Sequence, residues 1–187
     1  MLYIMRHGKT DWNALQKLQG QIDIPLNEEG KEAARAAHEK YKDITFDICY
    51  SSPLVRAKET AEIFLQGTST PIITDDRLKE MAFGEFEGVT GYFNNPSCPI
   101  NDLFVNPTAY VKQGGAESFE ELFSRTGAFL QELVFPSLKE GKDILIVGHG
   151  AMNCSIISQL KNTPLEKFWD NLIGNCELRQ LDVPQDL

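Results

Sequence analysis

Short continuous apolar runs alternate with amphipathic segments along most of the chain. The apolar runs are too short for helices and predict buried strands at 2–6, 44–50, 71–74 and 143–148, with an alternating strand at 177–183. The amphipathic segments have helical spacing and predict helices at 28–40, 53–65, 118 to about 136, 151–160 and 163–172. This alternation predicts an α/β fold, a three-layer α/β/α sandwich with a mostly parallel central sheet.

Capping residues and prolines mark the ends of these helices. Side-chain caps are expected at the start of four of them: Asn27, Ser52, Ser118 and Thr163. Pro53 and Pro164 fit a first helical turn, where a missing N–H costs no hydrogen bond. Pro136 is expected to kink or end the helix that begins after Ser118. Residues 88–116 have recurrent Gly, Asn and Pro but no sustained period, which predicts an irregular lid inserted into one domain spanning 1–187.

The overall charge limits the classes of partner. The 187 residues include 27 acidic and 18 basic side chains, for a net charge of -9, and no cluster of Lys or Arg offsets this excess. Nucleic acid and anionic membranes are therefore not expected as partners. A small anionic ligand is still compatible with this negative net charge, because a few convergent Arg and His side chains can make a local positive site.

The cysteines indicate neither a metal site nor a disulfide framework. The four cysteines are widely spaced, with no CxxC pair and no histidine at metal-ligand spacing beside them. No bound metal and no cofactor are expected. The chain starts directly with a strand pattern, without the features of a signal peptide, and no apolar run approaches the ~18 residues of a membrane span. A cytoplasmic location is the simplest expectation.

Two of the three histidines follow predicted strands in similar contexts. Arg6, His7 and Gly8 end the first apolar run, and His149 with Gly150 ends the run "ILIVG". In open α/β sheets ligands bind at the carboxyl ends of the strands. His7, Ser51 and His149 each lie at such an end, so they are expected to converge at one edge of the sheet. The third histidine lies in the first predicted helix and is expected to be structural and exposed.

Five motifs occur in order along the chain: "RHGKT" at 6–10, "SSPLVRAKET" at 51–60, "EMAFGEFEG" at 80–88, "GGAESF" at 114–119 and "HG" at 149–150. In this combination the chain resembles the histidine phosphatase superfamily, also called the phosphoglycerate mutase-like fold, from residue 2 to about 183. The resemblance implies phosphoryl transfer in a site formed by these motifs.

The residue types suit that chemistry. A phosphoryl group in transfer carries charge on its equatorial oxygens, which Arg6 and Arg56 can bind bidentately. Neutral His7 is a competent nucleophile, and a phosphohistidine divides hydrolysis into two easier steps. His149 is expected to donate to the phosphoryl oxygens, best as an imidazolium held by the anionic substrate. Gly150 lets the backbone approach, and the helix amides after it face an anion.

The resemblance supplies the remaining roles. The family's general acid corresponds to Glu80, the first glutamate of its segment, while Glu85 and Glu87 are expected to be solvated or structural. Asn13, and Gln19 with Gly20, correspond to positions that contact the substrate phosphate.

The resemblance and these residues together predict a metal-independent phosphomonoesterase that acts on a small phosphorylated metabolite through a phosphohistidine on His7. The alternatives are a cofactor-dependent phosphoglycerate mutase and a non-catalytic phospho-ligand binding protein. Family mutases place Arg, His and Tyr directly after the general acid, where this chain has Met81, Ala82 and Phe83. A second phosphate clamp is therefore not expected. Four lid aromatics fit either a ring-bearing leaving group or packing of the lid: Tyr92, Phe93, Phe104 and Tyr110. The sequence does not indicate the oligomeric state.

Overall fold

A five-stranded sheet forms the middle layer of the protein, whose computed structural model describes residues 1–183. The strands are β1 (Leu2–Arg6), β2 (Ile48–Ser51), β3 (Ile72–Thr74), β4 (Ile144–Gly148) and β5 (Leu178–Leu181). Their order across the sheet is β3-β2-β4-β1-β5. Strand β5 is antiparallel to its neighbour β1, and the other three pairings are parallel. The mostly parallel α/β fold expected from the sequence is confirmed.

Within residues 1–183 the α-helices are α1 (Asp11–Ala14), α2 (Glu28–Tyr41), α3 (Val55–Phe64), α4 (Asn101–Val105), α5 (Phe119–Phe129), α6 (Phe135–Lys139) and α7 (Gly150–Lys161). Helices α2 and α3 cover one face, and α5 and α7 cover the other. The central strands are buried on both sides, because Leu2 and Ile4 pack towards α5 and α7 while Tyr3 and Met5 pack towards α2 and α3.

The lid expected at 88–116 contains more structure than its composition indicates. Helix α4 and a short 3₁₀ turn at Pro107–Ala109 lie within it. A third apolar cluster beneath it joins Met81 and Phe83 to Leu103. No helix among residues 1–183 is both long enough and apolar enough to cross a bilayer.

Strand β2 and helix α3 begin later than the sequence predicts. Ile48 pairs with Ile144, the first residue of β4, so the chain before Ile48 has no strand to join on that side. The expected N-cap at Ser52 is wrong, since α3 begins at Val55 with Leu54 in the cap position. The Ser52 hydroxyl instead contacts the Leu54 N–H and His149 Nε2. Pro53 therefore lies before the helix and not in its first turn.

Two further helix ends differ from the predictions. The segment expected as a helix at 163–172 is a 3₁₀ helix, Leu165–Asn171, without a side-chain cap. Thr163 instead accepts a hydrogen bond from the Asn171 amide at 3.1 Å. Pro136 does not end the helical path, because a π-turn at Leu130–Val134 precedes it and places it in the first turn of α6, where no N–H is required.

Candidate active site

His7 and His149 lie side by side because β1 and β4 are neighbouring parallel strands. The His7 N–H donates to the Gly148 carbonyl at 2.9 Å, and the two imidazole rings have centroids 5.1 Å apart. His7 is 3% exposed and His149 is fully buried. Two residues 142 positions apart in sequence thus share one strand edge, as the sequence pattern predicts.

The surroundings of His7 fix its tautomer. Nδ1 lies 2.6 Å from the Gly8 carbonyl oxygen, which can only accept, so Nδ1 carries the hydrogen and Nε2 keeps its lone pair. The peptide group that follows His7 is also held at both of its polar atoms: Asn175 donates to the His7 carbonyl at 2.7 Å, and the Gly8 N–H donates to the Thr60 hydroxyl at 3.0 Å. His7 therefore presents a fixed nucleophilic nitrogen.

His149 has the opposite tautomer, set by Ser52. The Ser52 Oγ accepts from the Leu54 N–H at 3.2 Å and lies 2.7 Å from His149 Nε2. If Nε2 carried the hydrogen, the buried hydroxyl hydrogen of Ser52 would have no acceptor among the described residues. The hydroxyl therefore donates to Nε2, and the hydrogen of neutral His149 is on Nδ1, which has no partner within residues 1–183.

Both imidazoles are neutral in the free protein. Burial lowers the pKa of His7 well below its usual value, and the charges of Arg56 and Arg6 lower it further. The pKa of His149 is also lowered well below the usual value, again mainly by burial and then by Arg56. The imidazolium form expected for His149 thus requires an added anion to stabilise it.

Two arginines converge on the same edge from different directions. Arg56, on α3, is completely buried, and its two terminal nitrogens donate to the carbonyls of Ile22 at 2.8 Å and Gly20 at 2.6 Å. Burial lowers its pKa to about 10, so it remains charged at neutral pH. Arg6 donates to the Ile173 carbonyl at 3.2 Å. The Nε atoms of both arginines are buried without a partner in the described chain.

The loop at 19–22 is held from two sides. Glu87 accepts from the N–H groups of Gln21 at 2.9 Å and Ile22 at 3.2 Å, opposite the carbonyls that Arg56 binds. Gly20 has a φ of +57°, and a Cβ there would overlap the Glu87 carboxylate. Glu87 is therefore structural, as expected.

Two of the expected phosphate-contact residues, Asn13 and Gln19, are linked through Thr10, with Gln19 at the start of this loop. Asn13 accepts from the N–H of Thr10 at 3.0 Å within a capping box that starts α1. The Thr10 hydroxyl also donates to Gln19 at 2.7 Å. Asn13, Gln19 and Gly20 are therefore held close together at one side of the histidines.

Glu80 lies at the N-terminus of α7. Its carboxylate accepts from the N–H groups of Met152 at 3.0 Å, Ala151 at 3.2 Å and Met81 at 2.8 Å. The N–H groups at the start of α7, which the sequence predicts to face a bound anion, thus bind the Glu80 carboxylate in the structure. A Cβ added to Gly150 would lie 3.5 Å from Glu80 Oε2 and 3.8 Å from the Arg6 guanidinium carbon, which places Gly150 between them.

A cleft of about 640 Å³ opens onto these residues. It is lined by all the expected site residues except His149: Arg6, His7, Asn13, Gln19, Gly20, Arg56, Glu80 and Gly150. Its outer wall includes six apolar or aromatic residues: Phe83, Tyr92, Phe93, Phe104, Trp169 and Leu172. Three polar residues, Gln16, Lys17 and Asn94, also line the cleft. Tyr110 is not on this wall and packs against Phe119, at 5.8 Å between ring centroids.

Several contributors to the site were not identified from sequence. Ser52 lies in the motif at 51–60, where its position suggests a helix cap, and Trp169 lies in a segment whose pattern predicts a helix. Arg125 has no local signal, because only the fold brings it beneath Glu80. Glu85 is exposed, and the third histidine, His38, is half-buried with Nδ1 2.8 Å from the Phe64 carbonyl oxygen. In the described part of the chain, no group of three or more His, Cys, Asp or Glu has the geometry to hold a metal.

Comparison with known proteins gives consistent matches over nearly the whole chain. The uncharacterized phosphatase PhoE of Bacillus subtilis is 35% identical over 175 residues, which cover 92% of this chain and 83% of that protein. The probable phosphoglycerate mutase GpmB of Salmonella choleraesuis is 32% identical over 186 residues, which cover 98% and 85%.

Solved structures agree in fold. The mycobacterial glucosyl-3-phosphoglycerate phosphatase, in complex with VO3, superposes with a TM-score of 0.82 at 28% identity, covering 95% of this chain and 90% of its own. The α-ribazole phosphatase of Shigella flexneri gives 0.84 at 26% identity, covering 98% and 91%. The profile of the histidine phosphatase superfamily (branch 1) matches residues 2–186. This chain therefore belongs to the histidine phosphatase superfamily.

Proposed function

We propose that the protein is a metal-independent phosphomonoesterase that transfers the phosphoryl group of a small ester to His7 Nε2 and then to water. One observation carries this proposal. Among residues 1–183, four buried side-chain polar atoms lack a hydrogen-bond partner, and three of them are nitrogens of the expected site residues: Arg6 Nε, Arg56 Nε and His149 Nδ1. Buried donors without partners are costly, and a phosphoryl group has the oxygens to satisfy them.

The chemistry follows from these positions. In the first step His7 Nε2 forms a bond to phosphorus, the bond from phosphorus to the ester oxygen breaks, and Glu80 gives its proton to the departing alkoxide. In the second step water attacks the phosphohistidine, Glu80 takes a proton from that water, and His7 is released with orthophosphate. The anionic substrate raises the pKa of His149, so that its imidazolium stabilises the charge on the oxygens.

The comparisons support hydrolysis of small phosphate esters. Structural neighbours include a glucosyl-3-phosphoglycerate phosphatase, an α-ribazole phosphatase and the phosphoserine phosphatase of Entamoeba histolytica, solved with 3-phosphoglyceric acid. The relatives named as probable mutases keep the second candidate open. Retention of a bisphosphorylated intermediate needs a second cationic clamp, whereas the positions after Glu80 are apolar: Met81, Ala82 and Phe83. Beyond Arg6 and Arg56, the cations that line the cleft within the described chain are limited to the single side chain of Lys17. This arrangement favours hydrolysis over mutase activity.

The outer wall favours leaving groups with apolar or ring-bearing surface. Phe93 is 57% exposed at this wall, and Leu172 is 43% exposed. Phe104 stacks on Trp169 at 5.3 Å between ring centroids, which presents a flat aromatic surface. Burying such surface against a ring contributes roughly 25 cal/mol per Å². Aryl and heterocyclic ribosyl phosphates are therefore expected to have a higher kcat/KM than glycerol phosphate.

The test is to trap the intermediate. Labelled substrate, quenched rapidly without acid, should leave a base-stable, acid-labile phosphoryl group on His7, and His7→Ala should remove both adduct and activity. Phosphoglycerate mutase activity is assayed in parallel. Full turnover in His7→Ala would refute the nucleophile, and transfer to a second hydroxyl faster than hydrolysis would favour the mutase.

Metal independence is tested separately. The two arginines and two histidines of the site supply the positive charge and donors that a divalent cation supplies in other phosphoryl-transfer enzymes. Dialysis against excess chelator should therefore leave turnover unchanged. Loss of turnover that is restored by an added divalent cation would contradict this part of the proposal.

A further inference from the structure

A largely buried ion pair lies directly beneath the segment that carries Glu80. Arg125, on α5, donates from Nε to one carboxylate oxygen of Glu117 at 2.6 Å and from Nη2 to the other at 3.0 Å. The two side chains are only 19% and 12% exposed. A bidentate pair of this kind is rigid and directional, and neither residue lines the cleft.

The other donors of Arg125 are all directed to the backbone before and at Glu80. Its Nη1 donates to the carbonyls of Arg77 at 2.5 Å and Lys79 at 2.8 Å, and its Nη2 reaches the Glu80 carbonyl at 3.2 Å. One guanidinium thus binds three carbonyls within four residues. The segment has no helix or strand of its own at Glu80, so these bonds replace the secondary structure that would otherwise fix it.

Glu117 holds the same segment on the other side of Glu80. Its Oε2 accepts from the Ala82 N–H at 3.1 Å, and its backbone N–H donates to the Ala82 carbonyl at 2.8 Å. The Tyr110 hydroxyl donates to the Glu117 carbonyl at 3.1 Å, which ties this contact to the lid. The backbone is therefore fixed on both sides of Glu80, independently of the bonds that its carboxylate makes to α7.

We propose that Arg125 and Glu117 are positioning residues that set where the Glu80 carboxyl group meets the leaving-group oxygen. This inference rests on the proposed role of Glu80 as the general acid. A displacement of about 1 Å in a reacting group can cost on the order of 10²-fold in rate. The pair acts on proton transfer through Glu80 and leaves the phosphate-binding arginines and histidines in place.

The experiment compares two kinds of leaving group. Arg125→Lys and Glu117→Gln keep the approximate side-chain size but lose the bidentate geometry. With glycerol phosphate, whose alkoxide needs a proton, kcat should fall on the order of 10²-fold. With p-nitrophenyl phosphate, whose phenolate needs little help, the rate of phosphohistidine formation should change less than about threefold.

The matched control is Arg77→Lys. Arg77 anchors the same segment through its side-chain bonds to Asp75 and Glu132, but its side chain does not bind the backbone around Glu80. In Arg77→Lys, turnover of glycerol phosphate and phosphohistidine formation from p-nitrophenyl phosphate should fall by the same factor or not at all. Urea denaturation of all variants gives the free energy of unfolding, so that assays use fully folded protein.

Combination with Glu80→Gln provides the deciding measurement. If Arg125 acts through Glu80, then Arg125→Lys should produce no further loss of glycerol phosphate turnover in the Glu80→Gln background. An additive loss, or equal losses on both substrates in Arg125→Lys, would overturn the inference. If Glu80→Gln itself shows no dependence on the leaving group, the role of Glu80 has failed rather than that of the pair.

Discussion

The hydroxyl of Ser52 and the imidazole of His149 form a buried hydrogen bond, 2.7 Å from Oγ to Nε2, at the ends of neighbouring strands β2 and β4. Since Ser52 donates this bond, it directs the only hydrogen of neutral His149 to Nδ1. A residue that resembles a helix cap in the sequence thus determines which nitrogen of the imidazole is available to a phosphoryl group.

Ser52→Ala should slow turnover while leaving the fold intact. Without the hydroxyl, neutral His149 can place its hydrogen on either nitrogen, and in both the neutral and the protonated form the ring loses the partner that orients Nδ1. This should lower kcat by about 10² to 10³-fold, the usual cost of one misplaced donor. Nitrogen-15 NMR of the imidazole should show Nδ1–H in the parent protein and a mixture of tautomers in the variant.

Ser51→Ala is the matched control. The Ser51 hydroxyl is equally buried at the same strand end, but it donates to the Ser52 carbonyl at 3.0 Å and does not touch His149. Turnover in Ser51→Ala should stay within a few-fold of the parent. If both variants lose activity equally, the effect comes from the strand end as a whole and not from the tautomer.

Glu80→Gln should separate leaving groups by their basicity. It retains the shape of the side chain but has no proton to give, so turnover of glycerol phosphate should fall by about 10² to 10⁴-fold. Formation of phosphohistidine from p-nitrophenyl phosphate should be spared, and slow hydrolysis should then produce a burst of nitrophenolate.

The neighbouring glutamates serve as controls for this variant. Glu87→Gln weakens the contacts that hold the loop at 19–22 and should raise KM for both substrates alike. Glu85→Gln, at an exposed position, should resemble the parent. A selective loss of glycerol phosphate turnover in either variant, with Glu80→Gln unaffected, would show that the general acid is not Glu80.

Arg56→Lys should weaken phosphate capture more than its retained charge suggests. A lysine can neither supply the unpartnered Nε donor nor span the carbonyls of Gly20 and Ile22. Turnover is expected to fall on the order of 10²-fold, and inhibition by orthophosphate should weaken in parallel. Unchanged phosphate inhibition would show that Arg56 only supports the loop.

Stability should depend on pH through His7 and His149. Their pKa values are lowered in the folded protein by burial and by Arg56, whereas in the unfolded chain they are about 6.5. As pH falls below about 6.5 the unfolded state binds protons that the folded state does not, so the free energy of unfolding decreases. Each histidine can contribute up to about 1.4 kcal/mol per pH unit.

Urea denaturation in phosphate-free buffer between pH 7.5 and pH 5 measures this loss. The double variant His7→Gln/His149→Gln should show a shallower dependence, while His38 remains in both proteins as an internal control. Added orthophosphate should reduce the loss in the parent protein, because a bound anion favours the protonated form of His149. Identical slopes in parent and double variant would contradict the assignment.

The sheet was predictable because each central strand is a short apolar run, buried on both faces, that ends in a polar residue or glycine. The convergence of His7 and His149 followed from one rule about parallel strands. Strand and helix ends were less predictable, since they depend on partners distant in sequence. Strand β2 starts where β4 begins, and α3 starts at Val55, after a Ser52 hydroxyl that contacts His149.

The residues that hold the site in place were the hardest to predict from the sequence. Arg125 and Glu117 are ordinary charged residues on an amphipathic helix and in the loop before it, and their role arises from the backbone carbonyls and amides they reach. Backbone groups carry no residue identity, so no local pattern marks such contacts. The aromatic wall was only partly anticipated for a similar reason, because Trp169 joins Phe104 across separate segments.

The start of α2 has a consequence for engineering this protein. Glycine inside a helix normally costs about 1 kcal/mol relative to alanine, so Gly30→Ala would be a standard choice for stabilisation. Here a Cβ on Gly30 would overlap the Lys9 carbonyl, and one on Gly8 would lie 2.7 Å from the Gly30 carbonyl oxygen. The two glycines let the chain that leaves His7 lie directly on the helix backbone. A substitution that improves helix propensity would therefore push the nucleophile's own loop away, lowering both stability and turnover.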